Sequence, residues 1–121
     1  MTGVYQPEMK FDDDDALTPS RIDHLVEEIY ADGALEQKYN YLVYHFERNG
    51  AYIRARAYLD EIGVVSIYGP YESELVNSAP VEDAAFFALA LAYLKRRYET
   101  VQKLAGDGYE TVWRAGAAAQ E

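Results

Sequence analysis

The stretch KYNYLVYHFERNGAYIRARAY, residues 38–58, alternates between two kinds of side chain and turns once, at Asn49-Gly50. Tyr, Val, Ile and Phe favour a pleated surface, and Asn-Gly tolerates the two positive φ angles of a type I′ turn. The pattern predicts a two-residue hairpin with Arg48 opposite Ala51, Phe46 opposite Ile53, Tyr44 opposite Ala55 and Leu42 opposite Ala57. Phe46, Tyr44, Leu42, Ile53, Ala55, Ala57 and Leu59 then point one way, and the small alanines leave room for a helix to lie close. The other face carries Tyr39, Tyr41, Val43, His45 and Glu47 beside Tyr52, Arg54, Arg56 and Tyr58. A third strand, Val64 to Tyr68, returns through Glu61-Ile62-Gly63. It sends Val65 and Ile67 to the apolar side, and Ser66 and Tyr68 to the tyrosine-rich one.

Upstream, Thr18-Pro19 has the character of a helix start. Ile22, Leu25, Val26, Ile29 and Tyr30 follow at i, i+3, i+4, i+7 and i+8, so a helix is expected to about Asp32, with Gly33 as its left-handed stop. Downstream, Gly69 to Asn77 reads as a loop. Ser78, Pro80, Glu82 and Asp83 open a second helix that is expected to reach about Leu104. Gly106-Asp107-Gly108 breaks the chain, and Tyr109 to Arg114 is aromatic and β-branched enough for a last strand. The expectation is a two-layer α+β sandwich of order α-β-β-β-α-β. An antiparallel sheet of three to four strands would carry both helices on its Leu42, Phe46, Ile53, Val65 face. Residues 18–114 form the expected domain, Met1 to Leu17 a flexible acidic arm, and Ala115 to Glu121 a frayed tail. This order is similar to that of the small acidic homodimeric chaperones of type III secretion and their sensory-regulator relatives. The likeness spans Thr18 to Trp113, rests on topology and acidity, and transfers no family residue.

Charge narrows the function. In 121 residues, 21 Asp and Glu against 11 Lys and Arg give a net charge of −10, which removes the long-range attraction that nucleic-acid backbones and anionic membranes require. Neither is expected as a partner. The chain has no cysteine, which excludes disulfides, thiolate metal sites and cysteine nucleophiles. No apolar run suggests a membrane span or export signal, and the cytoplasm is the default expectation.

The strongest candidate site is the second sheet face: Tyr39, Tyr41, His45, Tyr52, Arg54, Arg56, Tyr58 and Tyr68. Tyr and Arg bring large contact area and directed donors with little loss of rotamer freedom, as binding hot spots do. The plain alternative is that their cross-strand pairs stabilise an exposed sheet. Asp12, Asp13, Asp14 and Asp15 lack the alternating ligands and turn glycine of a calcium loop, so they read as an electrostatic contact for a basic surface. His24 with Glu27 and Glu28 has helical ligand spacing but no second ligand set, and His45 with Glu47 lacks a nucleophile and oxyanion donors. No catalytic residue, metal or cofactor is assigned. The expectation is a homodimeric, non-enzymatic interaction domain that uses the Tyr/Arg face for self-association or a protein partner. Phe86, Phe87, Leu91 and Leu94 are the other possible dimer surface. Two alternatives remain: a small-molecule-binding protein or enzyme with a pocket between sheet and long helix, its polar groups from Tyr44, Ser66 and Tyr93, and an acidic immunity or inhibitor protein masking a basic partner surface.

Overall fold

A computed structural model describes residues 16–105 and 107–116. One mixed sheet holds six strands side by side in chain order: β1 (Arg21–Ala31), β2 (Ala34–Arg48), β3 (Ala51–Tyr58), β4 (Val64–Tyr71), β5 (Thr100–Ala105) and β6 (Gly108–Arg114). Among the described residues a single helix, α1 (Ala84–Lys95), interrupts them. Every neighbouring pair is antiparallel except β4 with β5, which run parallel because the chain crosses over between them through α1.

The β2–β3 hairpin has the expected register, Arg48 to Ala51 through Leu42 to Ala57, with positive φ at Asn49 (52°) and Gly50 (84°). Its apolar face, with Val65 and Ile67 of β4 and Val101 of β5, meets Phe86, Ala90 and Leu94 of α1 in one buried cluster. Ala55 and Ala57 are buried within it, and Leu17 packs against its rim. Leu59, expected on this face, lies largely exposed. Burying each large side chain contributes about 1.5–3 kcal/mol, so this cluster is the principal stabilising contact between sheet and helix. Asp83 caps α1, its side chain accepting a hydrogen bond from the Phe86 N–H at 3.1 Å.

The two-helix sandwich is overturned. The first expected helix is strand β1, which pairs along its length with β2. Asp32 (φ 55°) and Gly33 (φ 80°) are the two central residues of a second tight hairpin turn, where the sequence suggested a helix stop. The physical reason lies in β2. β3 occupies only one edge of that strand, and β1 supplies hydrogen-bond partners along the other, from Ala34 to His45. Spacing that would make one stripe on a helix is split by the pleat between two faces, and Ile22, Leu25, Val26, Ile29 and Tyr30 are all exposed.

The second helix is also shorter than expected. Leu94 O accepts from the N–H groups of Arg97 and Tyr98, α1 stops, and Thr100 to Ala105 join β4 as β5. β-branched Thr100 and Val101 suit that strand, and Val101 is fully buried there. Strand β4 continues through Gly69 and Pro70 to Tyr71, where a loop was expected. With one helix and a six-stranded sheet, the topology behind the likeness to secretion chaperones is absent. The expected arm is described only from Ala16 and the expected tail only to Gly116, so Asp12 to Asp15 lie outside the described residues.

Candidate functional site

Period-two alternation on β2, β3 and β4 brings Tyr39, Tyr41, His45, Tyr52, Arg54, Arg56, Tyr58 and Tyr68 onto the sheet face opposite α1. They do not all face solvent. Tyr41, His45 and Tyr52 are buried within the chain itself, whereas Arg54, Arg56, Tyr58 and Tyr68 are half-buried and Tyr39 is exposed.

Two of the buried members, His45 and Tyr52, form one end of the face. His45 Nε2 lies 2.9 Å from Asp23 Oδ2 and its Nδ1 lies 2.5 Å from the Tyr52 hydroxyl, an arrangement in which the ring donates to the carboxylate and accepts from the phenol. Arg21 Nη2 is nearly equidistant from both ring nitrogens and pairs with Glu74 at 2.6 Å, while Arg21 Nε pairs with Asp23 at 3.1 Å. The Arg21 guanidinium holds the Asp23 and Glu74 carboxyls below their ordinary range, chiefly by hydrogen bonding, and burial pushes the Tyr52 phenol up. These bonds tie β1 and the loop after β4 to the centre of the sheet.

The open end is an aromatic bed with two cations on it. The Arg54 guanidinium stands 5.9 Å from the ring centres of both Tyr52 and Tyr68, and that of Arg56 stands 5.1 Å from Tyr41 and 6.0 Å from Tyr68. Arg56 Nη1 donates to the Tyr58 hydroxyl at 3.3 Å. Tyr58 stacks at a tilt on Tyr41 (5.1 Å) and edge-on to Tyr39 (6.1 Å). The Tyr68 hydroxyl meets that of Tyr109 at 2.8 Å, and burial, followed by this bond, pushes the Tyr68 phenol up to about 12. Among the described residues neither Arg54 nor Arg56 has a carboxylate within 4 Å. The Nε of each is buried without a hydrogen-bond acceptor. Those Nε atoms are out of a partner's reach, and the donors left for a planar anion such as a carboxylate are the Nη groups, of which only Arg56 Nη1 has an acceptor among the described residues.

Arg21, Asp23, Glu74 and Tyr109 were not foreseen in this site. The first two were assigned to a helix, where residues two apart do not share a face. The signal that would have found them is Asp32-Gly33 read as a hairpin turn, which puts Arg21 opposite His45 and Asp23 opposite Val43.

The other candidates separate in space. His24 and Glu28 share one face of β1 and Glu27 takes the other, while His24 hydrogen-bonds to Asn40. No group of three or more potential metal ligands occurs among the described residues. Glu47 sits opposite Tyr52 in the ladder and makes no bond to His45. Tyr44 bonds to Tyr98 in the core (2.6 Å), while Ser66 accepts from Gln102 (3.0 Å) on the other side of the sheet, so the proposed Tyr44, Ser66, Tyr93 pocket is not assembled. A groove of about 490 Å³ instead lies where α1 begins, between Pro70, Val81, Phe87 and Lys103. Phe86 and Leu94 are fully buried in the chain's own core, which removes them from any dimer surface. No helix is long and apolar enough to cross a membrane among the described residues. No family model matches the chain, and no similar curated protein or solved structure was found.

Proposed function

We propose that this chain is a non-enzymatic interaction domain whose Tyr/Arg sheet face receives an acidic segment of a protein partner. The observation that carries this reading is the pair Arg54 and Arg56, adjacent on one face of β3, with buried Nε groups that lack an acceptor and no carboxylate beside them among the described residues. Other basic side chains among the described residues also lack a carboxylate partner; what sets Arg54 and Arg56 apart is that each guanidinium is partly buried among tyrosines. Forked guanidinium groups bind carboxylates bidentately, and the half-desolvated bed of Tyr41, Tyr58 and Tyr68 strengthens those bonds. Tyr39, Tyr58, Tyr68 and Tyr109 add the amphipathic contact area of a binding rim. A chain of charge −10 repels any anion at long range, and the repulsion grows with the charge brought up, so a polyphosphate backbone is disfavoured more than a short acidic segment. The Asp23–His45–Tyr52 chain supports a structural rather than catalytic use, because Tyr52 is 2% exposed and its hydroxyl is occupied by His45.

The test is a photo-crosslinking residue at Tyr58 or Tyr68, with Ile62, 91% exposed at the far end of β3, as the control position. Cross-links made in the source cell are mapped by mass spectrometry. The reading expects a link from 58 and 68 but not 62 to an Asp/Glu-rich segment of another polypeptide, lost on Arg54→Glu with Arg56→Glu. A link only to the chain's own residues 12–15, to nucleic acid, or one indifferent to both arginines refutes it.

A further inference from the structure

Among the described residues strand β1 is an edge of the sheet, and the β1–β2 ribbon runs on beyond β3 without a third strand, because β3 ends at Tyr58 opposite Tyr41. A two-stranded ribbon is marginal in water by itself. This one nevertheless exposes Ile22, Leu25, Val26, Ile29, Tyr30 and Leu35, each between 42% and 59%. The strand contains no proline to block further pairing, and its regular pairing with β2 is unbroken from Arg21 to Ile29. A long edge of this kind, about half of it apolar and half charged or polar, can template another strand whose charges match its own.

We infer that the occupant of this edge is β1 of a second copy, paired antiparallel about a two-fold axis at Val26. The argument is the self-complementarity of the strand. Val26 is the middle of its 11 residues, so this centre alone pairs all of them. One face then sets Ile22 opposite Tyr30, Val26 opposite Val26 and His24 opposite Glu28. The other sets Arg21 opposite Ala31, Asp23 opposite Ile29 and Leu25 opposite Glu27. No like charges oppose one another, and apolar residues meet at the centre and at both ends of the first face. The neighbouring registers lose this. Centring on Leu25 opposes Asp23 to Glu27, and centring on Glu27 opposes two copies of that carboxylate. The second copy gives the ribbon its missing third strand and continues the sheet across the axis, with both Tyr/Arg faces on the same side. This places self-association at the β1 edge, away from the Tyr/Arg face and from α1.

The experiment uses the intact chain. Light scattering over a hundredfold concentration range is expected to show a monomer–dimer equilibrium. Val26→Asp, which opposes two carboxylates at the axis, raises the dimer dissociation constant at least about tenfold, whereas uncharged, β-branched Val26→Thr leaves the dimer in place. Because the chain has no cysteine, Val26→Cys is a clean reporter of register. Residues directly opposite in an antiparallel ladder have Cα atoms about 4.5–5.5 Å apart, within disulfide reach. Mild oxidation should therefore link Val26→Cys into a covalent dimer and leave Ile62→Cys monomeric. A monomer at every concentration overturns the inference, whether the edge is then covered by the chain's own leading residues or by a foreign strand. So does a dimer that survives Val26→Asp, or one in which Ile62→Cys links and Val26→Cys does not.

Discussion

Replacing Leu94 by Ala removes three carbons from a side chain that is 0% exposed, at the point where α1 meets the sheet. Transfer alone costs about 2.4 kcal/mol at about 0.8 kcal/mol per carbon. The cavity left behind, at about 24 cal/mol per Å³, carries the loss to about 3–5 kcal/mol. Alanine's helix propensity is within a few tenths of a kcal/mol of leucine's, so the helix itself is not weakened. Ile29→Ala deletes the same number of carbons from β1, where the side chain is 45% exposed and leaves no cavity; about half the transfer cost, roughly 1.2 kcal/mol, is expected. Urea titrations of both variants, followed by Trp113 and tyrosine fluorescence with unchanged m, measure the contrast. They should be run at the lowest workable protein concentration, so that association does not contribute. Equal losses from the two variants would refute the reasoning. That outcome would mean that Ile29 packs into a core, as one face of an amphipathic helix over residues 19–32 requires.

Acid should expose the Arg21 network. Asp23 and Glu74 have carboxyls held below their ordinary values, so their contribution is present above the unfolded carboxylate range, about pH 4, and is lost as pH falls through the folded values. The stability difference between the wild-type chain and Arg21→Ala, from urea midpoints at pH 7 and pH 3, should shrink at pH 3; a difference independent of pH contradicts this. Asp83→Ala removes the side-chain acceptor for the Phe86 N–H and should cost about 0.5–2 kcal/mol, while Asp83→Asn or Asp83→Ser recovers most of it, because either restores a capping oxygen.

Sequence and structure agree where a local device carried one meaning. Asn49-Gly50 can close a hairpin but suits no helix end in an alternating stretch, so the β2–β3 register and the face shared by the eight site residues follow from it and the period of two. The last strand, Gly108 to Arg114, was legible for the same reason. Disagreement arose where a device carried two. Asp32-Gly33 serves as a helix stop or a type I′ turn, and Ile22, Leu25, Val26, Ile29 and Tyr30 satisfy a helical stripe as well as an exposed strand. Leu94, Tyr98 and Val101 likewise continue a helix on paper, yet the open edge of β4 draws Val101 into a strand.

What the sequence by itself determined is therefore the central hairpin and the chemistry of its two faces, because these depend on neighbours in the chain. The tertiary structure alone decided that β1 is a strand, that α1 ends at Lys95, and which tyrosines are already buried. It also decided that Arg21, Asp23, Glu74 and Tyr109 join the site. These outcomes turn on backbone groups satisfied between strands: the edge of β2 away from β3 takes β1 as its partner, and the open edge of β4 takes β5. A local pattern has no access to that requirement.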